Sequence, residues 1–252
     1  HRRPRHPRAR PPRSAATGLH PRPLTSHSIM LCSPDRQFIF IATPKTASTA
    51  IETHLSTLDP AILRDAIPLE GGGTQRVRKH ARAVDIRNAL GASAAGYTFI
   101  AFMRDPREVV VSKYYWYRNG WPAERLKAGQ ISSLRRRRRR WYRPNLADRV
   151  WLARLFPVTL WALVYPLKPG AWFLCDDAGA LLIDELGAYS RLQTDFTKIF
   201  SRFGYAENDL VLPHINVSRY ENQTLSRDLL SRVVEKRMPR DASLNANAEQ
   251  QQ

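Results

Sequence analysis

An α/β fold, a single domain built on a parallel sheet flanked by helices, is what this sequence predicts, and three observations carry the prediction. Residues 39–52, IFIATPKTASTAIE, run from an apolar strand pattern through Thr43-Pro44-Lys45-Thr46 into a helical one. Residues 97–118, YTFIAFMRDPREVVVSKYYWYR, repeat the order strand, turn, helix. Each turn holds a cation, Lys45 and Arg104, at the carboxyl end of its strand, where open parallel sheets bind ligands. A lysine at a strand-to-helix turn makes the sheet P-loop-like.

The elements follow in order. A strand is expected over 37–42 and a helix over 46–58, where Ala47, Ala50, Ile51, Leu55 and Leu58 keep helical spacing. A helix over 81–90 stops at Gly91, a residue free to turn left-handed. After a strand at 97–103, RDPRE opens a helix over 106–118. Asp105 can cap it, Pro106 suits its first position, and Glu108 can complete a capping box. Residues 119–180 are irregular. A short strand near 181–184 precedes helices over 191–203, stopping at Gly204, and 225–238.

Charge divides the chain. Its formal charge is +18, but residues 1–29 hold seven arginines and no acid, and Arg135–Arg140 is a run of six. Without these the charge falls to +5, an ordinary value for a domain that binds an anion. Residues 1–29, rich in Pro and Arg, lack the apolar side chains to order themselves and read as a disordered leader. The domain is expected over 30–240 and a flexible tail over 241–252. Residues 150–167, VWLARLFPVTLWALVYPL, are apolar, but Arg154, Pro157 and Pro166 interrupt them, so a buried or lid helix is expected rather than a span. Cys32 and Cys175 make no disulfide framework or zinc site. A cytoplasmic compartment is the default, with the Golgi lumen the alternative for a truncated chain.

The loop at Lys45 lacks the glycines that wrap a triphosphate in GxxxxGK[ST]. Thr46, Ser48 and Thr49 with the first helical amides suit a single anion held end-on. Arg104 and Ser112, eight residues apart, offer a guanidinium and a hydroxyl for a second one. A ligand charged at both ends fits. On these residues the chain resembles the carbohydrate-type sulfotransferases that use 3′-phosphoadenosine 5′-phosphosulfate (PAPS). TPKTASTAIE is similar to their 5′-phosphosulfate loop and FMRDPREVVVSKYY to their 3′-phosphate segment. KHARAVDIRNALG, GAYSRLQTDFTKIFSRFG and LPHINVS resemble further segments, with Ala188-Tyr189-Ser190 standing where the family often has an arginine-aromatic-glutamate run.

The resemblance implies that Lys45 contacts the phosphosulfate and steadies the leaving phosphate. It implies that Thr46, Ala47, Ser48 and Thr49 bind the 5′ end, that Arg104 and Ser112 hold the 3′-phosphate, and that no metal is required. The acceptor would be a hydroxyl, expected on a carbohydrate. Two residues are candidate bases: His80, in a segment similar to one carrying a catalytic histidine, and Glu52, one turn after Ser48 on the side of the helix facing away from the apolar stripe. His54, on the stripe, reads as a core histidine, and His214 as structural. The aromatic run Tyr114–Tyr117 could stack on a sugar or adenine, or pack its helix. Two other readings stand: a P-loop kinase or phosphotransferase binding ATP with magnesium, and a non-catalytic polyanion binder using the basic segments. Nucleic acid is not the expected partner.

Overall fold

The computed structural model describes residues 30–69, 72–77, 81–129, 146–213 and 227–250. The expected leader, the six-arginine run, His80 and His214 lie outside these residues.

The sheet is mixed rather than wholly parallel. Strands β1 (Met30–Ser33) and β2 (Phe38–Ile41) pair antiparallel, Met30 opposite Ile41, because the few residues between them allow a hairpin and no crossover. Helix α1 (Ser48–Leu58) follows, then the short strands β3 (Leu63–Arg64), β4 (Ala66–Pro68) and β5 (Thr74–Arg76). Helix α2 (Ala83–Leu90) ends at Gly91 with φ 57°, as expected. Strand β6 (Thr98–Met103) pairs parallel with β2, and α3 (Pro106–Asn119) leaves its end. The stretch without readable pattern holds α4 (Trp121–Lys127), α5 (Leu146–Leu155), α6 (Val158–Val164) and α7 (Ala171–Leu174). Then come β7 (Glu185–Ala188), parallel to β6, and helices α8 (Leu192–Ser201), α9 (Arg227–Arg237) and α10 (Pro239–Gln250). The strand order is β3-β1-β2-β6-β7, with β4 and β5 in a separate pair.

Strand alternation distributes the core. Phe38 and Phe40 of β2, with Ile100 and Phe102 of β6, face Ile51 and Leu55 of α1 and Phe196 and Phe200 of α8. Ile39, Ile41, Phe99, Ala101 and Met103 point the other way, onto Ile86 and Leu90 of α2, Phe173 of α7 and Leu244 of α10. A third cluster joins α3, α5, α6 and α9 around Trp161, which stacks on Tyr165 with ring centroids 4.3 Å apart. Cys32 and Cys175 are buried free thiols.

Two further expectations need correction. The third parallel strand begins at Glu185, not near 181. Leu181 pairs back on Cys175 in an isolated bridge, while Asp184 spends its side chain on the Phe99 amide (2.8 Å) and is gripped by Arg87. Residues 241–250, expected within a tail, form most of α10. Asp241, Leu244 and Ala248 are buried there, and Asp241 accepts the amides of Gly170 and Ala171 at 2.6 and 2.9 Å. Arg191 donates to the carbonyls of Ala248 and Glu249, closing the end of α10 where a cation is favoured.

β7 approaches β6 closely because residue 187 lacks a side chain. A Cβ there would lie 2.4 Å from the buried Phe102 ring. Gly187→Ala is expected to cost about 1–3 kcal/mol of stability, read as a lower urea midpoint at unchanged slope.

Candidate functional site

The site grows from the carboxyl ends of β2 and β6. Beyond β2, the Thr43 hydroxyl donates to the Phe102 carbonyl at 2.7 Å, tying the exit of one strand to the other. The Thr46 hydroxyl turns back on the Thr43 carbonyl at 3.0 Å. Thr46 is buried and its hydroxyl serves the loop itself, so α1 starts at Ser48 rather than 46.

The glycine-free loop adopts a backbone that glycine usually supplies. Lys45 has φ 69° and Ala47 φ 56°, with Thr46 of ordinary sign between them. Each left-handed residue costs about 1 kcal/mol. The alternation resembles a backbone nest, a concavity of amides suited to an anion. Ala47 caps α1 without a side-chain hydrogen bond, and the first turn holds no acid. Ser48 and Thr49 are half-buried there. The positive end of α1 is therefore open to an outside anion.

Arg104 joins the second segment to this loop. Its Nη1 donates to the Lys45 carbonyl at 3.2 Å, its Nε pairs with Glu108 at 2.8 Å, and its guanidinium lies 4.0 Å over the Tyr189 ring. Asp105 caps α3 through the Arg107 amide as expected, but the carboxylate of Glu108 goes to Arg104 instead of completing a capping box. Ser112 is buried on α3, one turn beyond Glu108 and one turn before Trp116, so the three share a side of the helix. The Lys45 ammonium lies 4.9 Å from the Trp116 ring.

Burial, then the nearby charges of Lys113 and Arg104, pushes the Lys45 amine down to about 8. Lys113 is likewise pushed down to about 8 by burial, then by Arg149 and Lys168. Among the described residues Lys45, Lys113 and Lys168 form no ion pair. Lys168 shares a narrow cleft with Thr43, Thr46 and Arg104, enclosing about 10 Å³, roughly the room of one water. Asp241 also lines it, already committed to the amides of Gly170 and Ala171.

Thus Lys45, Thr46 and Arg104 come together, with Ser112 on the adjoining helix. Lys113, Lys168 and Tyr189 join them without having been expected. Trp116 lay within the aromatic run but had no role of its own; its signal was its place one turn after Ser112. Lys168 had none. Tyr114 and Tyr117 pack against Trp161.

Glu52 is placed otherwise than expected. It is buried, because the flank beside the apolar stripe is covered by β3, whose Arg64 donates to its Oε1. His54 is half-buried at the rim of the core, its Nε2 2.6 Å from the Asp209 carbonyl. Comparison with protein-family models, with curated proteins and with solved structures gives no match.

The lysine shifts fix a pH dependence. Amines held below their ordinary value are charged less readily in the fold than in the unfolded chain, so stability rises with pH between about 8 and 10.5. An anion that offsets the repulsion acts only while they are charged. Pyrophosphate is expected to raise Tm near pH 7 and by clearly less near pH 9.5; equal shifts at both would remove these amines from the site.

Proposed function

We propose that this chain is a P-loop-like sulfotransferase moving the sulfuryl group of PAPS to an acceptor hydroxyl, on a carbohydrate. The observation that supports it best is the contact of Arg104 with the Lys45 carbonyl, which brings the Lys45 loop and the Arg104 segment side by side at adjacent parallel strands. The cation-rich donor set and open end of α1 suit a ligand with phosphate at two ends.

PAPS, when bound, supplies a sulfuryl group on a stable leaving phosphate. The chain supplies charge and position. Lys45 and the amides of Ala47, Ser48 and Thr49, with the Thr46 backbone, hold the 5′ end, where negative charge grows as transfer proceeds. Arg104 and Ser112 hold the 3′-phosphate, for which Arg104 exchanges Glu108 and widens the cleft. Trp116 and Tyr189 keep the two cations against aromatic faces. The acceptor proton goes to His80, because the other candidate, Glu52, is buried with its carboxylate engaged by Arg64. No residue of this scheme calls for a metal.

Calorimetric titration with adenosine 3′,5′-bisphosphate, AMP and ATP with magnesium tests the ligand. Micromolar binding of the bisphosphate, lost in Arg104→Ala and weak for AMP, is expected. Binding of ATP with magnesium alone would move the chain to the phosphotransferase reading. Lys45→Ala is expected to lower transfer on the order of 10²–10³-fold in a folded protein, and His80→Ala to lower turnover more than donor affinity.

Glu108 adds a sharper test. It is exposed and competes for the Arg104 guanidinium. Glu108→Gln should tighten bisphosphate binding by about two- to fivefold, the scale of one exposed ion pair. Unchanged or weaker binding would mean that Arg104 keeps its place when the ligand enters.

A further inference from the structure

Helices α5 and α6 form a hairpin that carries apolar residues on its outer as well as its inner side. Val150 and Ala153 of α5, with Val158, Trp161 and Ala162 of α6, face the third core cluster. On the outer side, Trp151 and Leu155 lie one turn apart on α5, and Leu160, Leu163 and Val164 repeat that spacing on α6, with Phe156 at the corner. All six are exposed, Leu155 to 70%. An exposed apolar face of this kind marks an interaction surface. No helix among the described residues is long and apolar enough to cross a membrane.

We propose that this hairpin docks the protein on the surface of an anionic phospholipid membrane. Charge separates that partner from others. Arg125 and Lys127 end α4, and Arg154 lies in the last turn of α5. Beside the hairpin, a hollow between α3, α4 and α5 is lined by Arg118, Lys127 and Arg154, with Glu124 as its carboxylate. Tryptophan, leucine and phenylalanine above a cationic margin is the composition of an interfacial helix. The backbone is prepared as well. Arg118 donates to the carbonyls of Ala153 and Arg154, Arg237 to those of Ala162, Leu163 and Tyr165, and the Tyr114 hydroxyl to that of Phe156. These carbonyls near the C-terminal ends of both helices thus have partners inside the protein, so docking would not strand them away from water.

The test is flotation of the full chain with phosphatidylcholine vesicles, with and without about a third phosphatidylglycerol. The wild type is expected to float with the anionic vesicles and much less with neutral ones. The triple variant Leu155→Ser, Leu160→Ser, Leu163→Ser alters only exposed positions, and an unchanged circular dichroism spectrum would verify its fold. Its partitioning should fall about tenfold or more. Equal flotation of the triple variant would overturn the proposal, since arginines alone would then account for binding. So would a wild type that stays with solvent, and light scattering that then found a dimer abolished by the triple variant would assign the face to a second copy.

Discussion

The hydrogen bond from the Thr43 hydroxyl to the Phe102 carbonyl sets the geometry on which the site depends. Parallel pairing brings β2 and β6 to the same edge but does not fix how each chain leaves it. This bond does, and the Thr46 hydroxyl on the Thr43 carbonyl then closes the turn. With the loop held at both points, Lys45 and Ala47 are kept in left-handed conformations that their side chains disfavour. The amide concavity and the uncapped start of α1 follow from that strain. A glycine loop would reach the same shape without strain, but it would also have more freedom to lose on folding.

Local signals explain how much of the fold was legible. β2, α1, α2, β6, α3 and α8 combine a clear period with a stop or start, such as Gly91, Gly204 or the Asp105-Pro106 pair, and they appear within about two residues of expectation. β1 and β3 are short and gain their identity from pairing with β2 and with each other, which no local pattern records. β7 was misplaced because LLID reads as a strand in isolation, whereas Asp184 uses its carboxylate to hold the Phe99 amide. α10 lacks a strong apolar stripe. Its order comes from buried Asp241 at one end and Arg191 at the other, contacts that span about 70 and 58 residues of sequence.

At the site, the residues carried by a motif were legible and their companions were not. Lys45, Thr46 and Arg104 stand beside strand ends, and Ser112 lies at a fixed spacing of eight from Arg104, so all four could be named. Glu52 could be named but not placed. Helical spacing from the apolar stripe turns it to the outer side, and only β3, bringing Arg64 across the helix, makes the position internal. Lys168 and Arg149 reach the site from segments whose paths depend on the packing of α5 and α6 onto α3. Charges that converge from separate elements leave no spacing in the sequence.

That convergence makes α3 the element through which the two halves of the molecule communicate. Tyr114 and Tyr117 commit one face to Trp161 and Tyr165 of the helical layer, while Trp116 meets Lys45 from the sheet side. Lys113, between them, lies 5.5 Å from the Tyr165 ring and also raises the electrostatic cost of charging Lys45. The apolar cluster holds these cations together against their repulsion, since separating them would require α3 to leave Trp161. An anion bound at the strand ends as proposed would therefore meet charge already assembled, and little of its binding energy would go into collecting donors. What would still have to move is the Arg104 side chain, whose exposed partner Glu108 lies one turn away and can return to water when released.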